Sequence, residues 1–508
     1  MSESRPQENV ALWPPRAMST QHPDNAFMPS FASNGESIKG EDEITEARYV
    51  FSTLGCDEQM WDYEGKDTDV DVVMKLLASD PHFFQERPLG RELFLTLRIP
   101  NPAVEQGMRK KVQEALYNIA TSYDLAQQFY QDGHHAPIFE VILPLTRSAD
   151  QVLAAYLYYQ RVVAGAGEQR LTGSTRVKDW LGDTFPRRIN VIPLVEEMAS
   201  LSQVDDIVGP YLTQMEEMGQ GQDHLRVFLA RSDPALNYGH LSATLLCKIA
   251  LQRLEALETQ RGVTIHPILG AGGAPFRGNL RPGFVDSVLQ EYPSVQTFTV
   301  QSSFKYDHPE ERVKAEVEKL RRWRRRPALP VEEERALDII ERYSRCYRSH
   351  VERLAPAVNT LSSLVPRRRA RRLHVGLYGY SREVDGGESR SVQLPRAITF
   401  CAALYSLGVP PELIGLEALT GEDMAFLREV YPNFLQDLLS AGRYVNEENM
   451  QHLLGLEAWW AARPYIGEVD REHAGLSRVI FDRMEMTEGR QRTRLLLQWA
   501  AETRGFLG

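Results

Sequence analysis

The residues that could do chemistry recur at the ends of short apolar runs. His22 follows AMSTQ and precedes Pro23, which biases it away from helix, with the turn formers Asp24 and Asn25 beyond. The imidazole therefore stands where an extended run passes into a loop, and it titrates near neutral pH. Seven later segments have the same form. Glu64 with Lys66 ends the run around Tyr63, Arg98 ends ELFLTLRI, and Arg147 follows PIFEVILPL. Glu196 with Glu197 ends INVIPLVEE, and Asp233 ends LRVFLARSD. A glycine cluster with Arg277 follows IHPILG, and Gln301 with Lys305 follows TFTV. A ring of carboxylates, cations and one imidazole suits a metal-assisted reaction on an anionic substrate. Taken singly, each has a plainer reading: His22 as a hydrogen-bonded structural histidine, Glu196 and Asp233 as acids capping helices.

These groups act together only if the elements carrying them converge. From 18 to 307, β-prone runs alternate with amphipathic stretches such as ADQVLAAYLYYQRVVAGA, whose apolar residues recur at i, i+3, i+4 and i+7. Such alternation builds parallel sheets from βαβ units. Eight strand-then-helix units over 18–307 predict an α/β fold, a (β/α)8 TIM-type barrel, whose active site lies at the C-terminal ends of the strands. Those are the ends at which the polar residues collect. Residues 308–508 read as a mostly helical region, opened by His308-Pro309-Glu310-Glu311 with proline at the first helical position and acids in the first turn. Within it, GLYGYSREVDGGESR reads as a loop reaching back to the site, and a buried helix starts at Pro395-Arg396. Residues 1–17 read as a mobile arm, and the tail ending Arg504-Gly505-Phe506-Leu507-Gly508 as a frayed end.

The totals bound the class. With 508 residues, 43% hydrophobic and 25% charged, the chain can build one enlarged architecture or two to three domains. No apolar run reaches transmembrane length, and MSESRPQENVALWPPR lacks the apolar region of a secretory signal. Cys56, Cys247, Cys346 and Cys401 are far apart with no CxxC spacing, which indicates neither a disulfide framework nor a zinc site and suits a reducing cytoplasm. A net charge of −11 disfavours general nucleic-acid binding while leaving room for a local cationic pocket. The clusters Arg321 to Arg326 and Arg367 to Arg372 read as a solvated helix face or a subunit contact.

Two carboxylates on neighbouring strand ends, Glu196 and Asp233, can hold Mg²⁺ or Mn²⁺, whose shell is completed by waters and substrate oxygens. The run from Gly270 to Gly278, with Gly272 and Gly273 at its centre, lets backbone N–H groups approach an anion. It is neither a Walker loop nor GxGxxG in register. His134-His135 looks like a ligand pair but lies in a DGHHAP turn and reads as surface.

Taken together these motifs resemble phosphoenolpyruvate carboxylase of the short archaeal type. Thr20-Gln21-His22-Pro23-Asp24-Asn25 is similar to the family's catalytic-histidine segment, Pro193-Leu194-Val195-Glu196 to its metal-glutamate strand, and Ser232-Asp233 to its metal-aspartate motif. GAGGAPFRG resembles the glycine-arginine loop, and Leu394-Pro395-Arg396-Ala397-Ile398 the segment supplying a phosphate-binding arginine. The resemblance implies a reaction of phosphoenolpyruvate with bicarbonate, a Mg²⁺ or Mn²⁺ cofactor on Glu196 and Asp233, and a homotetramer that binds neither nucleic acid nor membrane. It implies catalytic roles for His22, Arg277 and Arg382, and substrate binding by Arg98, Arg396, Gly272 and Gly273. There are departures. Leu269 and Ala271 stand where the conventional branch has histidine and arginine, with His266 no assured substitute, and Leu236 and Asn237 where longer relatives have lysine and aspartate. Two other readings remain: another Mg²⁺-dependent phosphoenolpyruvate/pyruvate-type barrel lyase, or a catalytically silent scaffold acting through the arginine clusters.

Overall fold

The eight apolar runs form eight parallel strands: β1 Ala17–Ser19, β2 Glu58–Asp62, β3 Phe94–Arg98, β4 Glu140–Leu143, β5 Asn190–Val195, β6 His224–Ala230, β7 Thr264–Gly270 and β8 Thr297–Val300. In the computed structural model, which describes residues 13–64, 68–131, 136–369, 393–484 and 489–508, they close in chain order into a barrel. Met18 on β1 pairs with Glu58 on one side and Thr299 on the other. The expected (β/α)8 barrel is present, and from Glu310 onward the named elements are helical.

Strand parity separates two cores. Met18, Met60, Ile142, Ile192, Phe228 and Ile268 pack together inside the barrel. Trp61, Leu95, Leu97, Val141, Val191, Val227 and Leu269 join the larger core under the helices. The lowest interior layer is polar instead. Arg226 on β6 donates to Glu58 on β2 at 2.8 and 2.7 Å, to Glu140 on β4 at 2.8 Å and to Thr297 on β8 at 3.2 Å. These four residues come from alternate strands, as a barrel layer does.

Residues 13–17 are not part of a mobile arm. Trp13 donates its indole N–H to Glu140 at 3.5 Å, and the Arg16 and Ala17 amides donate to Asp57 at 3.0 and 2.8 Å. The Pro14 carbonyl accepts from Gln296 at 3.1 Å. Together they cap the N-terminal mouth of the barrel, while residues 1–12 lie outside the described residues.

The helical region covers the other side. The helix Glu333–Ser362 lies against Ser232–Tyr238, with the Tyr347 hydroxyl on Leu236 O at 3.2 Å and Ser344 Oγ on Tyr238 O at 3.1 Å. The second arginine cluster needs correction in its described part. Arg368 and Arg369 are buried, Arg368 donating to Asn25 O at 3.1 Å and Arg369 to Glu46 at 2.5 Å. Burial opposes ionisation of Glu46, but Arg369 and Lys305 outweigh it and hold the carboxyl below its ordinary range. Arg371 and Arg372 lie outside the described residues. In the first cluster Arg321 and Arg322 pair with Glu318 and Arg325 with Glu258. Among the described residues no single helix is long and apolar enough to cross a membrane.

Removing Arg226 leaves two buried carboxylates without their cation. Arg226→Met is expected to lower the unfolding free energy by about 3–5 kcal/mol. Replacing Glu58 and Glu140 by glutamine in the same chain should recover much of the loss, an order that denaturant midpoints at neutral pH would check.

Candidate active site

At the C-terminal ends of the strands, His22, Glu64, Arg98, Glu196, Asp233, Arg277 and Arg396 line one cavity of about 100 Å³, together with Ser232, Ala397 and Ile398. A larger hollow of about 840 Å³ lies between the helices Asp205–Glu217 and His240–Arg261, with no imidazole among its lining residues. The residues read from the strand ends thus gather in the smaller cavity.

His22 sits three residues beyond β1. Its Nδ1 is 2.8 Å from Thr20 Oγ1, which fixes the ring's rotation. The strand end beneath it is fastened by Lys305, whose buried ammonium donates to Ser19 Oγ at 3.1 Å, Thr20 O at 2.9 Å and Glu46 at 2.8 Å. Lys305 thus holds β1 rather than lining the cavity. Arg147 is also absent from the lining; it is exposed and pairs with Glu197. Lys66 and the turn His134-His135 lie outside the described residues.

Arg98 ends β3 and forms a two-pronged pair with Asp62 at 3.1 and 2.7 Å, with Glu64 at 3.1 Å. Burial works against its charge, but Asp62 and Glu64 outweigh that and hold the guanidinium firmly protonated. Across the cavity, burial pushes the Glu196 carboxyl well above its ordinary range, with Asp233 and then Glu64 adding like-charge repulsion. One oxygen of Glu196 accepts the Leu145 N–H at 2.8 Å. Leu145 makes that contact with φ at 50°, a left-handed conformation that costs a residue with a Cβ about 1–2 kcal/mol. Asn101 offsets the strain by donating to Pro144 O at 2.8 Å and Leu145 O at 3.3 Å. Half-buried carboxylates that repel one another, offering oxygen donors, fit a hard divalent cation.

Arg277 lies at the end of the turn Pro275–Arg277 and is almost wholly buried. It donates to Ser232 Oγ at 3.1 Å, Asp24 at 2.9 Å, Gly508 O at 2.8 Å and Gln301 at 2.5 Å. A guanidinium has five N–H donors, so these four contacts leave one for a ligand. Gly272 and Gly273 are not among the cavity's lining residues. Gly272 donates its N–H to Arg277 O at 2.8 Å, and a Cβ there would stand 2.7 Å from the guanidinium carbon. A Cβ on Gly273 would collide with Ser303. The structure gives both glycines a packing task around Arg277. Arg396 precedes the helix Ala397–Ser406 and reaches the cavity, while Arg382 and the loop around Gly386 lie outside the described residues.

The positions that depart from the resemblance are accounted for. Leu269 and Ala271 are buried in the core, and Leu236 packs there too. His266 stands near the start of β7, stacked on His224 and edge-on to Trp13, at the opposite mouth of the barrel. It cannot replace a cation at the site.

The chain's end is the main correction. The tail is not frayed: Leu507 N donates to Asp24 O at 2.8 Å, Phe506 packs between Tyr405 and Tyr444, and Gly508 is buried against Ile398 and Ala402. Asp24, read from the sequence only as a turn former, is buried and accepts from Ser303 N at 2.8 Å, Ser303 Oγ at 2.9 Å and Arg277. Asp62 and Asn101 were likewise not singled out. Asp62 could have been found, because it shares the inward parity of β2 with Met60, one step nearer the active end.

A family model described as phosphoenolpyruvate carboxylase matches residues 14–508. The chain belongs to the phosphoenolpyruvate carboxylase family. Curated phosphoenolpyruvate carboxylases similar to it include that of Methanothermobacter thermautotrophicus, 47% identical over 97% of this chain and 99% of that one. That of Halobacterium salinarum is 50% identical over 85% and 86%, and that of Pyrococcus furiosus 47% identical over 85% and 88%. The phosphoenolpyruvate carboxylase match thus runs across both the barrel and the helical region that brings Arg396 to the cavity and Gly508 to Arg277.

Two carboxyls carry the Arg277 turn from behind. Glu412 accepts from the Phe276 N–H and, at 2.7 Å, from the Tyr405 hydroxyl; Asp437 accepts from Asn279 at 2.8 Å and from Tyr431. Burial pushes each up to about 7. Unfolded, such groups ionise near pH 4 to 4.5 (~3.9 for Asp, ~4.3 for Glu). Between the two values the folded chain holds more protons than the unfolded one, so their contribution to stability falls as pH rises through that window. Thermal melts should show the wild type losing Tm relative to Glu412→Gln between about pH 5 and about pH 7.5. A second expectation concerns the tail: Gly508→Ala should lower the melting temperature and cost about 100-fold in turnover, because the added methyl would collide with Ile398 O and displace the oxygen that holds Arg277.

Proposed function

We propose that this chain converts phosphoenolpyruvate and bicarbonate to oxaloacetate and phosphate, a carboxylation that replenishes a four-carbon acid. The observation that carries the reading is the convergence of an imidazole, three carboxylates and three arginines on one cavity, in a chain of this family. Glu196 and Asp233 would hold a Mg²⁺ or Mn²⁺ ion, oxygen donors suiting both. When bound, that ion supplies Lewis-acid charge that favours the enolate over the ester.

The chain's own residues do the rest. Arg396, and Arg98 from its place against Asp62 and Glu64, orient the phosphoryl group with fixed N–H donors as a bicarbonate oxygen attacks phosphorus. The bond from phosphorus to the enol oxygen breaks, giving carboxyphosphate and pyruvate enolate. For His22 to act as a base, Nδ1–H donates to Thr20 Oγ1 and the Nε2 lone pair takes the carboxyphosphate proton. Carbon dioxide and phosphate separate, and the enolate carbon attacks the carbon dioxide to give oxaloacetate. The remaining N–H of Arg277 holds the second fragment beside the enolate. Excluding water matters at this stage, since a proton from solvent would convert the enolate to pyruvate.

We further propose a homotetramer working in the cytoplasm. The exposed Trp180, Leu181, Leu456 and Trp460 support contacts between copies, and four free cysteines support a reducing compartment.

The test is oxaloacetate formation from phosphoenolpyruvate with Mg²⁺, with and without bicarbonate. Oxaloacetate is expected only with both. His22→Ala should lower turnover by about 10²–10⁴-fold, Thr20→Val should lower kcat with little change in KM, and Asp233→Ala should abolish metal-dependent turnover. Pyruvate as the wild-type product, or turnover indifferent to bicarbonate, would move the chain to another phosphoenolpyruvate/pyruvate-type reaction.

A further inference from the structure

Where the long helix Glu333–Ser362 meets the turn Leu416–Ala418, three ligand-type side chains converge without a part in the chemistry above. Cys346 and His350 are four residues apart on Glu333–Ser362, so they share a face. Glu417 comes from the turn Leu416–Ala418, and one ligand atom from each of the three lies within 4.8 Å of the others. The turn is pressed onto the helix at Gly415, φ 89°, where a Cβ would stand 3.2 Å from Tyr347 N.

The hydrogen bonding within the trio is lopsided. Cys346 Sγ donates to Glu417 Oε1 at 3.3 Å, and His350 Nε2 pairs with that same oxygen. Glu417 Oε2 is buried with no hydrogen-bond partner. His350 itself is only 6% exposed. Two donors crowd one oxygen while its twin has none. A cation among the three would replace both donors on the carboxylate, and its water could donate to the oxygen that now has no partner. Arg353 donates to His350 Nδ1 at 2.5 Å; it is exposed, so it can swing into water when Nδ1 takes the proton that Nε2 gives up.

We propose that Cys346, His350 and Glu417 form a second metal site, which takes a zinc-class divalent ion and clips the long helix to the 416–418 turn. One sulfur, one imidazole nitrogen and one carboxylate oxygen suit tetrahedral Zn²⁺, with water in the fourth position, and do not suit Mg²⁺. The thiol proton leaves on binding, because the ligand is the thiolate. No CxxC spacing announces this site; helical periodicity and a residue from a distant turn build it. The clip acts on the helix whose neighbouring side chains Ser344 and Tyr347 hold Tyr238 and Leu236, in the short helix that begins with Asp233's neighbour Ser232. It therefore stiffens the active site's support without touching substrate.

The test uses the full chain, stripped with chelator and titrated with Co²⁺, then Zn²⁺. One equivalent of Co²⁺ should give a thiolate-to-cobalt charge-transfer band with the visible bands of tetrahedral cobalt. Zn²⁺ should displace it and raise the melting temperature. Cys346→Ser should remove the charge-transfer band and, like His350→Ala, weaken binding by more than about 100-fold, with Mg²⁺-supported turnover of the stripped variants kept. Cobalt spectra lacking a thiolate band in the wild type, or a band that survives in Cys346→Ser, would overturn the proposal, and neither outcome depends on the catalytic reading.

Discussion

The buried guanidinium of Arg277 is the contact on which the site depends. Removing a cation from water costs several kcal/mol, and only close, well-aimed partners offset it. Here the partners come from four separate places: Asp24 beyond β1, Ser232 beyond β6, Gln301 beyond β8, and the backbone oxygen of Gly508. The charge cannot be buried until all four have arrived. The same contacts that make burial tolerable therefore fix the relative positions of His22, Asp233 and the helix at Arg396. Barrel closure and tail docking are coupled through one side chain.

Two other buried ion clusters divide the remaining work. Arg226 with Glu58 and Glu140 fills the lowest layer of the barrel, far from substrate, where a polar network selects a register more than it adds stability. Glu46 with Lys305 and Arg369 joins the first helix of the barrel, β8's following helix and the segment after the long helix. That cluster anchors the end of β1 from which His22 projects. The imidazole thus stands on a strand end held from below by an ammonium, and its ring is held from the side by Thr20. Catalytic geometry on a loop is made precise by charges that never meet substrate.

The barrel was legible because its signal is local: each strand is a short apolar run ending in a polar residue, and all eight runs are strands in the structure. His22, Glu64, Arg98, Glu196, Asp233 and Arg277 were legible as cavity residues for the same reason, each closing or following such a run, whereas Arg396 was legible only through the family resemblance of its segment. What stayed hidden depends on partners distant in sequence. Arg277 reaches Gly508 across 231 positions and Asp24 across 253, so a tail with no regular pattern looked like a free end. Arg368 and Arg369 looked like solvated charge because Asn25 and Glu46 lie more than 300 residues earlier. Gly272 and Gly273 looked like an anion cradle because close approach to a side chain and close approach to a ligand leave the same residue in the sequence.

The cavity's charge balance is one that a divalent ion would relieve. Phosphoenolpyruvate and bicarbonate bring several negative charges to a space whose walls already carry Glu64, Glu196 and Asp233. Arg98 is taken up by Asp62 and Glu64, and Arg277 by Asp24, leaving a single N–H. Arg396 adds one further guanidinium to the lining, and three cations, two of them committed to carboxylates, are too few for two anions against three acidic walls. Burial and then repulsion from Asp233 and Glu64 raise Glu196 in the protein alone, and a nearby cation would relieve both. An ion held by Glu196 and Asp233 would offset the carboxylates and so favour the anionic substrates.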